Sequence, residues 1–307
     1  MNHASYFGGS PVQTAHRQQN TISREAGMSG IGMFGGADVN LRFLPAGPDF
    51  GIQFERTDLA GSPRIPALIE YAIERPRRTV LAAGGATVEV TEHVLAALAG
   101  LQIDNCLVQL DAPEPPAGDG SALPFAETLL EAGRTELDAP RLCLVVDQPF
   151  DLASAEGTQE LAVRPLRKTS PAISYHLDYG KGSPVPSGNL TVEITPETFL
   201  REIAFARTFV CESEVTALQS RGYGLRMTPQ NVLVFGQNGV IENELRCEDE
   251  CTRHKLLDCI GDFALAGCDL QGHFSAWRTG HAMNREVIRM IRLKYGTGGG
   301  TAGRHVA

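Results

Sequence analysis

The sequence predicts an α+β fold made of two similar domains. Short segments in which apolar and polar residues alternate precede helical patterns in each half, and the order strands, helix, strands, helix occurs twice. A chain of 307 residues is long enough for two domains with separate cores. We expect a flexible N-terminal extension over residues 1–19, a first domain over 20–138, a second over 139–295 and a disordered tail over 296–307.

The first half is predicted to begin with strands and to contain two helices. The strands cover residues 21–25, 39–43 and 51–56, two segments on either side of a turn at 84–85, and 106–110. The glycine-rich loop 30–36 is interpreted as a tight turn, because no helix follows it to hold a phosphate. Thr91 and Gly100 are expected to be the N-cap and the C-terminal stop of the first helix, and a second helix ends near Gly133.

The second half follows a linker predicted over residues 137–140. Its expected elements, in order, are strands from residue 142, a helix near 196–204, a strand at 232–235, a long helix that ends near Gly267, a strand at 274–277 and a last helix that opens at 279–284. This order matches that of the first half, although no residue-level repeat is visible.

Composition excludes several classes of function. Hydrophobic residues make up 42% of the chain and charged residues 21%, which is typical of a soluble globular protein. The net charge of −9 argues against nucleic-acid binding, which needs a basic face. No apolar run is long enough for a membrane span or a signal peptide, and seven cysteines without paired spacing suit a reducing compartment. We expect a cytoplasmic monomer.

The most informative pattern is His254 and Asp258 on the long helix. Residues four apart lie about 40° apart around a helix axis and about 6 Å apart along it, so both side chains share one face. Such a pair can bind one divalent ion, and Asp262, four residues further, can orient a neighbouring group. The same spacing is also typical of surface hydrogen bonds. A catalytic zinc site would need a third protein ligand.

Two further patterns bear on metal binding. Glu92 and His93 fall in the first turn of an otherwise apolar helix, where they are either polar end groups or a metal ligand with a neighbouring base. Cys247, Cys251 and His254 lie along one helical stripe and are the alternative, a structural zinc cluster. Buried cysteines on helices more often serve as small apolar residues.

With these pieces placed, the chain resembles the zinc-dependent UDP-3-O-acyl-N-acetylglucosamine deacetylases of lipid A synthesis, over roughly residues 17–295. Six blocks that occur in matching order carry the resemblance: 92–101 with 103–105, 112–114 with 119–122, 206–209, 218–222, 254–258 with 260–262, and 280–281 with 284. It implies two domains, each a small sheet with two helices, packed as a βααβ sandwich with inserted subdomains. The site lies at their interface.

The resemblance also implies the roles of the site residues. His93 joins His254 and Asp258 as the third ligand of one catalytic Zn²⁺, and Glu92 matches the general base. His281 matches the second catalytic group, which stabilises negative charge and protonates the leaving amine. Two further residues match supporting roles, Asp262 as the group that orients the imidazole of His281 and Thr208 as a hydroxyl donor to the oxyanion.

The implied substrate is UDP-3-O-(3-hydroxyacyl)-N-acetylglucosamine, and its implied contacts are less specific. Lys255 matches a lysine that meets the diphosphate, and Tyr179 aligns with an aromatic residue that stacks on uracil. The section 209–234 corresponds to an insert that forms an apolar passage for the acyl chain. Its candidate lining residues are Phe209, Val215, Leu218 and Leu225.

Departures from the family pattern leave two alternatives open. The usual loop G-x-G-L-H-x-G reads Gly-Ile-Gly-Met-Phe-Gly-Gly over residues 30–36, so Phe34 replaces the loop histidine, and residues 222–229 diverge most. One alternative is therefore a zinc deacetylase of a related N-acetylated sugar nucleotide. The other is a catalytically silent relative that binds a nucleotide sugar or an acyl chain, against which the intact reactive residues argue.

Overall fold

The computed structural model describes residues 13–295 and has the α+β architecture that the sequence predicts. Its helices are α1 (Glu92–Gly100), α2 (Leu123–Ala132), α3 (Pro196–Thr198), α4 (Glu212–Gln219), α5 (Glu250–Phe263) and α6 (His281–Tyr295). A π-helical turn, Phe199–Ile203, continues α3, and short 3₁₀ turns cover Ile69–Tyr71 and Ala264–Ala266. The predicted tail, 296–307, lies outside the described residues.

The strands follow the predicted order, with additions. They are β1 (Gln13–Ile22), β2 (Ala26–Ile31), β3 (Asp38–Pro45), β4 (Ile52–Arg56), β5 (Arg64–Pro66), β6 (Ala72–Ile73), β7 (Val80–Ala83), β8 (Ala86–Glu89), β9 (Cys106–Leu110), β10 (Arg134–Val145), β11 (Phe150–Ala153), β12 (Glu160–Arg164), β13 (Ala172–Leu177), β14 (Gly188–Glu193), β15 (Phe209–Cys211), β16 (Leu233–Gly236), β17 (Gly239–Val240), β18 (Asp269–Gln271) and β19 (His273–Trp277).

Two five-stranded sheets enclose the helices. The first has the order β2-β3-β9-β4-β5, and the second has the order β11-β12-β19-β13-β14. In β3 the side chains of Val39, Leu41 and Phe43 are buried and alternate with exposed residues, so one face of the sheet covers the core. Helix α1 packs on α2 and on α5, while α5 packs on α6 and on β13. The layers are therefore sheet, helices, helices, sheet, and the predicted sandwich is confirmed.

Gly261 of α5 and Gly100 of α1 each leave room for a close neighbour, Gly261 for α1 and Gly100 for the π-helical turn. A Cβ on Gly261 would lie 2.1 Å from the Glu92 carbonyl oxygen, and a Cβ on Gly100 would lie 2.3 Å from the Phe199 ring. Gly100 is the last residue of α1 and packs against Phe199, whereas the C-cap is Leu101 and not the predicted Gly100. Thr91 occupies the N-cap position without capping, because its hydroxyl donates to the Thr79 carbonyl oxygen instead.

A third sheet, β1-β10-β18, corrects two predictions. Residues 13–19 of the predicted extension belong to β1, while residues 1–12 lie outside the described range. The predicted linker over 137–140 lies inside β10, which also contains the predicted domain boundary. The proline of that linker, Pro140, pairs with Gln18 where the β1–β10 register shifts, and such an irregularity tolerates a residue without an N–H group.

Two smaller units complete the fold. One is the sheet β6-β7-β8 in the first half, and the other is the sheet β15-β16-β17 with α4, which we call the insert (residues 209–240). Helix α4 was not predicted, because it buries no residue and so carries little apolar periodicity. No helix within residues 13–295 combines the length and the apolar character that a bilayer span requires.

Candidate metal centre and active site

The predicted metal ligands come together between α1 and α5. The ligand atoms of His93, His254 and Asp258 all lie within 4.8 Å of one another, and all three residues are buried. His93 lies on the first turn of α1, whereas His254 and Asp258 are one helical turn apart on α5. The two imidazole rings are 5.1 Å apart and nearly perpendicular.

Hydrogen bonding decides which imidazole nitrogen of His254 faces the site. Its Nδ1 lies 3.1 Å from the carbonyl oxygen of Ala206, which can only accept, so Nδ1 carries the hydrogen and Nε2 keeps a lone pair. That Nε2 is 3.4 Å from Asp258 Oδ1, and His93 Nε2 is 4.0 Å from the same oxygen. Histidines that bind metal ions typically donate from one ring nitrogen to a carbonyl oxygen in this way and bind the ion through the other nitrogen.

The charge states of His93, His254 and Asp258 indicate which kind of cation these three residues can bind. Burial lowers the pKa of His93 to about 3, with a further contribution from His254, and burial also lowers the pKa of His254. Burial opposes the ionisation of Asp258, but the cations Lys255 and His281 hold the pKa of its carboxyl well below its usual range. Since neither histidine takes up a proton, their contacts with Asp258 are not ion pairs. The set fits a divalent metal ion.

Lys255 holds the second oxygen of the Asp258 carboxylate. Its Nζ donates to Asp258 Oδ2 over 2.6 Å, which leaves Oδ1 facing the two histidines. Burial lowers the pKa of Lys255, yet the neighbouring carboxylate and two tyrosines raise it well above its usual value. Lys255 is therefore a cation at the edge of the site.

Glu92 is a buried carboxyl beside the metal ligands. Its Oε2 accepts a hydrogen bond from the Thr79 backbone N–H over 3.1 Å, and its Oε1 lies 3.7 Å from His281 Nε2. Burial raises the pKa of Glu92 to about 7, and the carboxylates of Asp258 and Asp262 act in the same direction against the opposing effect of His281. A carboxyl with this pKa can both accept and release a proton near neutral pH.

His281 opens α6 and is held by Asp262 of α5. Its Nδ1 donates to Asp262 Oδ2 over 2.9 Å, and the Asn284 side-chain amide donates to the same oxygen over 2.9 Å. Burial lowers the pKa of His281, but Asp262, Asp258 and Glu92 together raise it to about 9. The imidazole is therefore cationic at neutral pH, and its Nε2 points towards Glu92.

Thr79 is a functional contact that the sequence did not predict. Its backbone N–H binds Glu92, its hydroxyl donates to Asp262 Oδ1, and the buried Arg285 donates to that hydroxyl over 3.3 Å. One residue thus positions the carboxyl on one side of the site and the imidazole on the other. No local pattern marks it, because its partners lie 13 and 183 positions away.

Thr208 lies on the segment that also supports His254. The neighbouring Arg207 donates from its backbone and its side chain to the fully buried Glu250, which ties this segment to the start of α5. The Thr208 backbone N–H donates to Gly120 O over 2.8 Å, and its carbonyl accepts from Leu233. The bond to Gly120 brings the blocks 119–122 and 206–209 together in the fold.

A cavity of about 960 Å³ contains nearly all the predicted site residues. Its lining includes Glu92, His93, Tyr179, Thr208, Phe209, Leu218, His254, Lys255, Asp258 and His281, while Asp262 lies directly behind His281. Val215 also lines it, but Leu225 does not and is 64% exposed. The Tyr179 side chain is half-exposed and packs edge-to-face on Phe209 at 6.0 Å.

The alternative cluster of Cys247, Cys251 and His254 does not form. Within residues 13–295, the triad on α1 and α5 is the only group of three such ligands close enough to share an ion. His254 turns towards His93 and Asp258, and all seven cysteines of the chain are free thiols. The buried Cys251 is a small apolar residue of the helix core.

A two-histidine, one-carboxylate set beside a proton-accepting carboxyl and a cationic imidazole defines the site of a metal-dependent hydrolase. The family model for UDP-3-O-acyl N-acetylglycosamine deacetylase (LpxC) matches residues 19–292. The chain belongs to this deacetylase family.

Named relatives agree with the family assignment. A UDP-3-O-acyl-N-acetylglucosamine deacetylase of Myxococcus xanthus (strain DK1622) is 38% identical over 275 residues, covering 89% of this chain and 86% of the relative. One from Geobacter sp. (strain M21) is 36% identical over 271 residues, covering 88% and 87%. A bifunctional enzyme LpxC/FabZ of Chlorobaculum tepidum is 37% identical over 301 residues. That alignment covers 89% of this chain and 64% of the relative.

Metal content of two variants distinguishes the two metal-binding hypotheses. His93→Ala removes one of three ligands and is expected to lose most of its bound metal, whereas Cys247→Ser combined with Cys251→Ser is expected to keep the metal content of the parent. Inductively coupled plasma mass spectrometry on dialysed, folded samples measures both. Loss of metal from the double cysteine variant with retention in His93→Ala would contradict the assignment.

Proposed function

We propose that this chain is a zinc-dependent deacetylase that hydrolyses the N-acetyl group of UDP-3-O-(3-hydroxyacyl)-N-acetylglucosamine and releases acetate, the committed step of lipid A biosynthesis. The observation that carries the proposal is the convergence of Glu92, His281 and the triad of acceptor atoms on one cavity, in a chain of the deacetylase family. Water attacks the amide carbonyl carbon, the C–N bond breaks, and the amine leaves with a proton.

The metal would be held by His93, His254 and Asp258. When bound, a zinc ion supplies Lewis-acid chemistry, because it polarises the amide carbonyl and lowers the pKa of a water molecule at the site. Lys255 contributes by holding Asp258 so that one carboxylate oxygen stays directed at the two histidines. The hydrogen bond from His254 Nδ1 to the Ala206 carbonyl oxygen orients that imidazole, and burial, which lowers the pKa of His254, keeps it neutral.

Glu92 is the proposed general base. Its pKa of about 7 is close to the pH at which a base works best, since the deprotonated form is then abundant and still takes up a proton readily. The Thr79 backbone N–H holds Oε2, which leaves Oε1 to receive the proton of the attacking water.

His281 is the proposed acid and Thr208 the proposed oxyanion donor. Because the pKa of His281 is raised to about 9, the imidazolium carries a proton on Nε2 that it can give to the departing amine. Asp262 orients the ring through Nδ1 and keeps the cation in place. The Thr208 hydroxyl lines the cavity and can donate to the oxygen that becomes negative in the tetrahedral state.

Substrate contacts are proposed on both sides of this centre. Lys255 is the proposed contact of the diphosphate, and Tyr179, partly exposed at the cavity, is the proposed stacking partner of uracil. Phe209 and Leu218 present apolar surface from the insert and are proposed to contact the acyl chain. We also propose that the chain acts as a monomer.

One observation favours a second candidate substrate. Phe34 lines the cavity where the family pattern has a histidine, so a polar contact is replaced by an aromatic surface. A deacetylase of a related N-acetylated sugar nucleotide would keep the same chemistry and change this contact. We also propose a cytoplasmic location, supported by seven free thiols, which suit a reducing compartment.

Acetate release tests the proposed function. The purified parent is expected to deacetylate UDP-3-O-(3-hydroxymyristoyl)-N-acetylglucosamine, and Glu92→Ala at equal zinc occupancy is expected to lower kcat by about 100-fold or more, because the base is removed while the ligands stay. Zinc-loaded parent that releases no acetate would contradict the substrate assignment. A Glu92→Ala variant as fast as the parent would contradict the role of the base.

The pH profile tests the assignment of base and acid. Log kcat/KM is expected to rise as pH increases through the pKa of Glu92, near 7, and to fall as His281 loses its proton near 9. A bound divalent cation lowers both values, so each limb is expected at or below these pH values. His281→Ala should be slower and lack the alkaline limb. An unchanged alkaline limb in that variant would assign it to another group.

A further inference from the structure

Two aromatic rings and a guanidinium form a cluster at the apolar part of the cavity. Phe34 of the glycine-rich loop and Tyr223 of the insert meet edge-to-face with centroids 5.5 Å apart, and both line the cavity. The Cζ atom of Arg78 lies 4.4 Å from the Phe34 centroid and 5.2 Å from the Tyr223 centroid. We call Phe34 and Tyr223, with Arg78 behind them, the aromatic wall.

Arg78 is held firmly enough to fix both rings. Its side chain is almost fully buried, at 4% exposure for the residue, and its Nε donates to Glu89 Oε2 over 2.5 Å. Arg78 itself does not line the cavity, so the guanidinium supports the rings from the protein side. A desolvated cation over two aromatic faces attracts each of them more strongly than an exposed one does.

The aromatic wall lies where two distant parts of the chain are joined. The Gly224 backbone N–H donates to the Phe34 carbonyl oxygen over 2.9 Å. Two residues further along, the Arg226 guanidinium donates to Gly36 O over 2.7 Å and pairs with Asp38 at 3.0 Å. These bonds join the glycine-rich loop to the insert beside the two rings.

The surface in front of the wall is apolar. Met33 and Met227 line the same cavity as the two rings, and so do Val215 and Leu218 of α4. Such a lining suits an alkyl chain and offers little to a phosphate or to a sugar hydroxyl. The wall is continuous with the cavity that holds the metal ligands, so a substrate bound there can extend to it.

We propose that the aromatic wall of Phe34 and Tyr223, positioned by Arg78, ends the acyl passage and selects the length of the acyl chain. This inference rests on the proposed deacetylase function and adds the residues that determine specificity. Each methylene buried in front of the wall is expected to raise kcat/KM by about fourfold, since a buried methylene contributes about 0.8 kcal/mol. The first methylene that would overlap the rings of the aromatic wall is expected to lower kcat/KM instead.

The experiment measures kcat/KM on UDP-3-O-(3-hydroxyacyl)-N-acetylglucosamines whose acyl chains lengthen two carbons at a time. The parent is expected to show a maximum followed by a decline. Tyr223→Ala and Phe34→Ala are each expected to move the maximum to a chain at least two carbons longer. The ratio of kcat/KM on that longer substrate to kcat/KM on the substrate that the parent prefers should change by about tenfold. Arg78→Gln, which removes the cation, is expected to broaden the maximum.

Leu225→Ala is the matched control, because Leu225 lies two residues from Tyr223 in the insert but is exposed to solvent. It is expected to keep the acyl preference of the parent. If the wall variants turn over substrate with the same maximum as the parent, or lose activity equally on all chain lengths while circular dichroism shows them folded, the inference is wrong. A parent inactive on every chain length would instead count against the proposed function, so the two failures are distinguishable.

Discussion

The site depends on how closely α1 approaches α5. A Cβ at position 261 would lie 2.1 Å from the Glu92 carbonyl oxygen. Because Gly261 has no side chain, the first turn of α1 lies directly against α5. Glu92 and His93 are on that turn, and His254, Asp258 and Asp262 are on α5. A larger residue at position 261 would push the helices apart, at a cost of about 1–3 kcal/mol for overpacking, and would separate one proposed metal ligand from the other two.

The second constraint is the charge that this contact buries. Asp258, Asp262 and Glu92 are buried, and each places a carboxylate oxygen within 4.0 Å of a His281 ring nitrogen. Desolvated charges need partners. Lys255 and the cationic His281 supply two of them. The uncompensated part is the face where Asp258 Oδ1 meets two neutral imidazoles, which is where a metal ion fits. The charges that must be compensated for the fold are therefore the same ones that carry the proposed chemistry.

The sequence predicted the parts of this site that rest on local geometry. The spacing of His254, Asp258 and Asp262 follows from one helix, and the first turn of α1 was recognisable from its apolar continuation. The family resemblance joined the two. The contacts of Thr79 with Glu92 and Asp262 could not be predicted, because they arise from packing between segments far apart in the chain.

Other elements escaped prediction for similar reasons. Strand β1 pairs with β10 across more than a hundred residues, and its polar residues carry no core pattern. Helix α4 packs on β15 and β16 but buries none of its residues, so its sequence carries little apolar periodicity. The loop substitution Phe34 was visible in the sequence, but its partners Arg78 and Tyr223 come from two other segments. Only the folded chain brings these three together.

Metal removal and replacement test the central claim most directly. The parent is stripped of metal with a chelator, checked for intact fold, and titrated with Zn²⁺ while acetate release from UDP-3-O-(3-hydroxymyristoyl)-N-acetylglucosamine is followed. The account predicts that the stripped enzyme is inactive and that activity returns in proportion to bound zinc, reaching its plateau at one ion per chain. Full activity of the metal-free protein, or a plateau that requires a second ion, would contradict it.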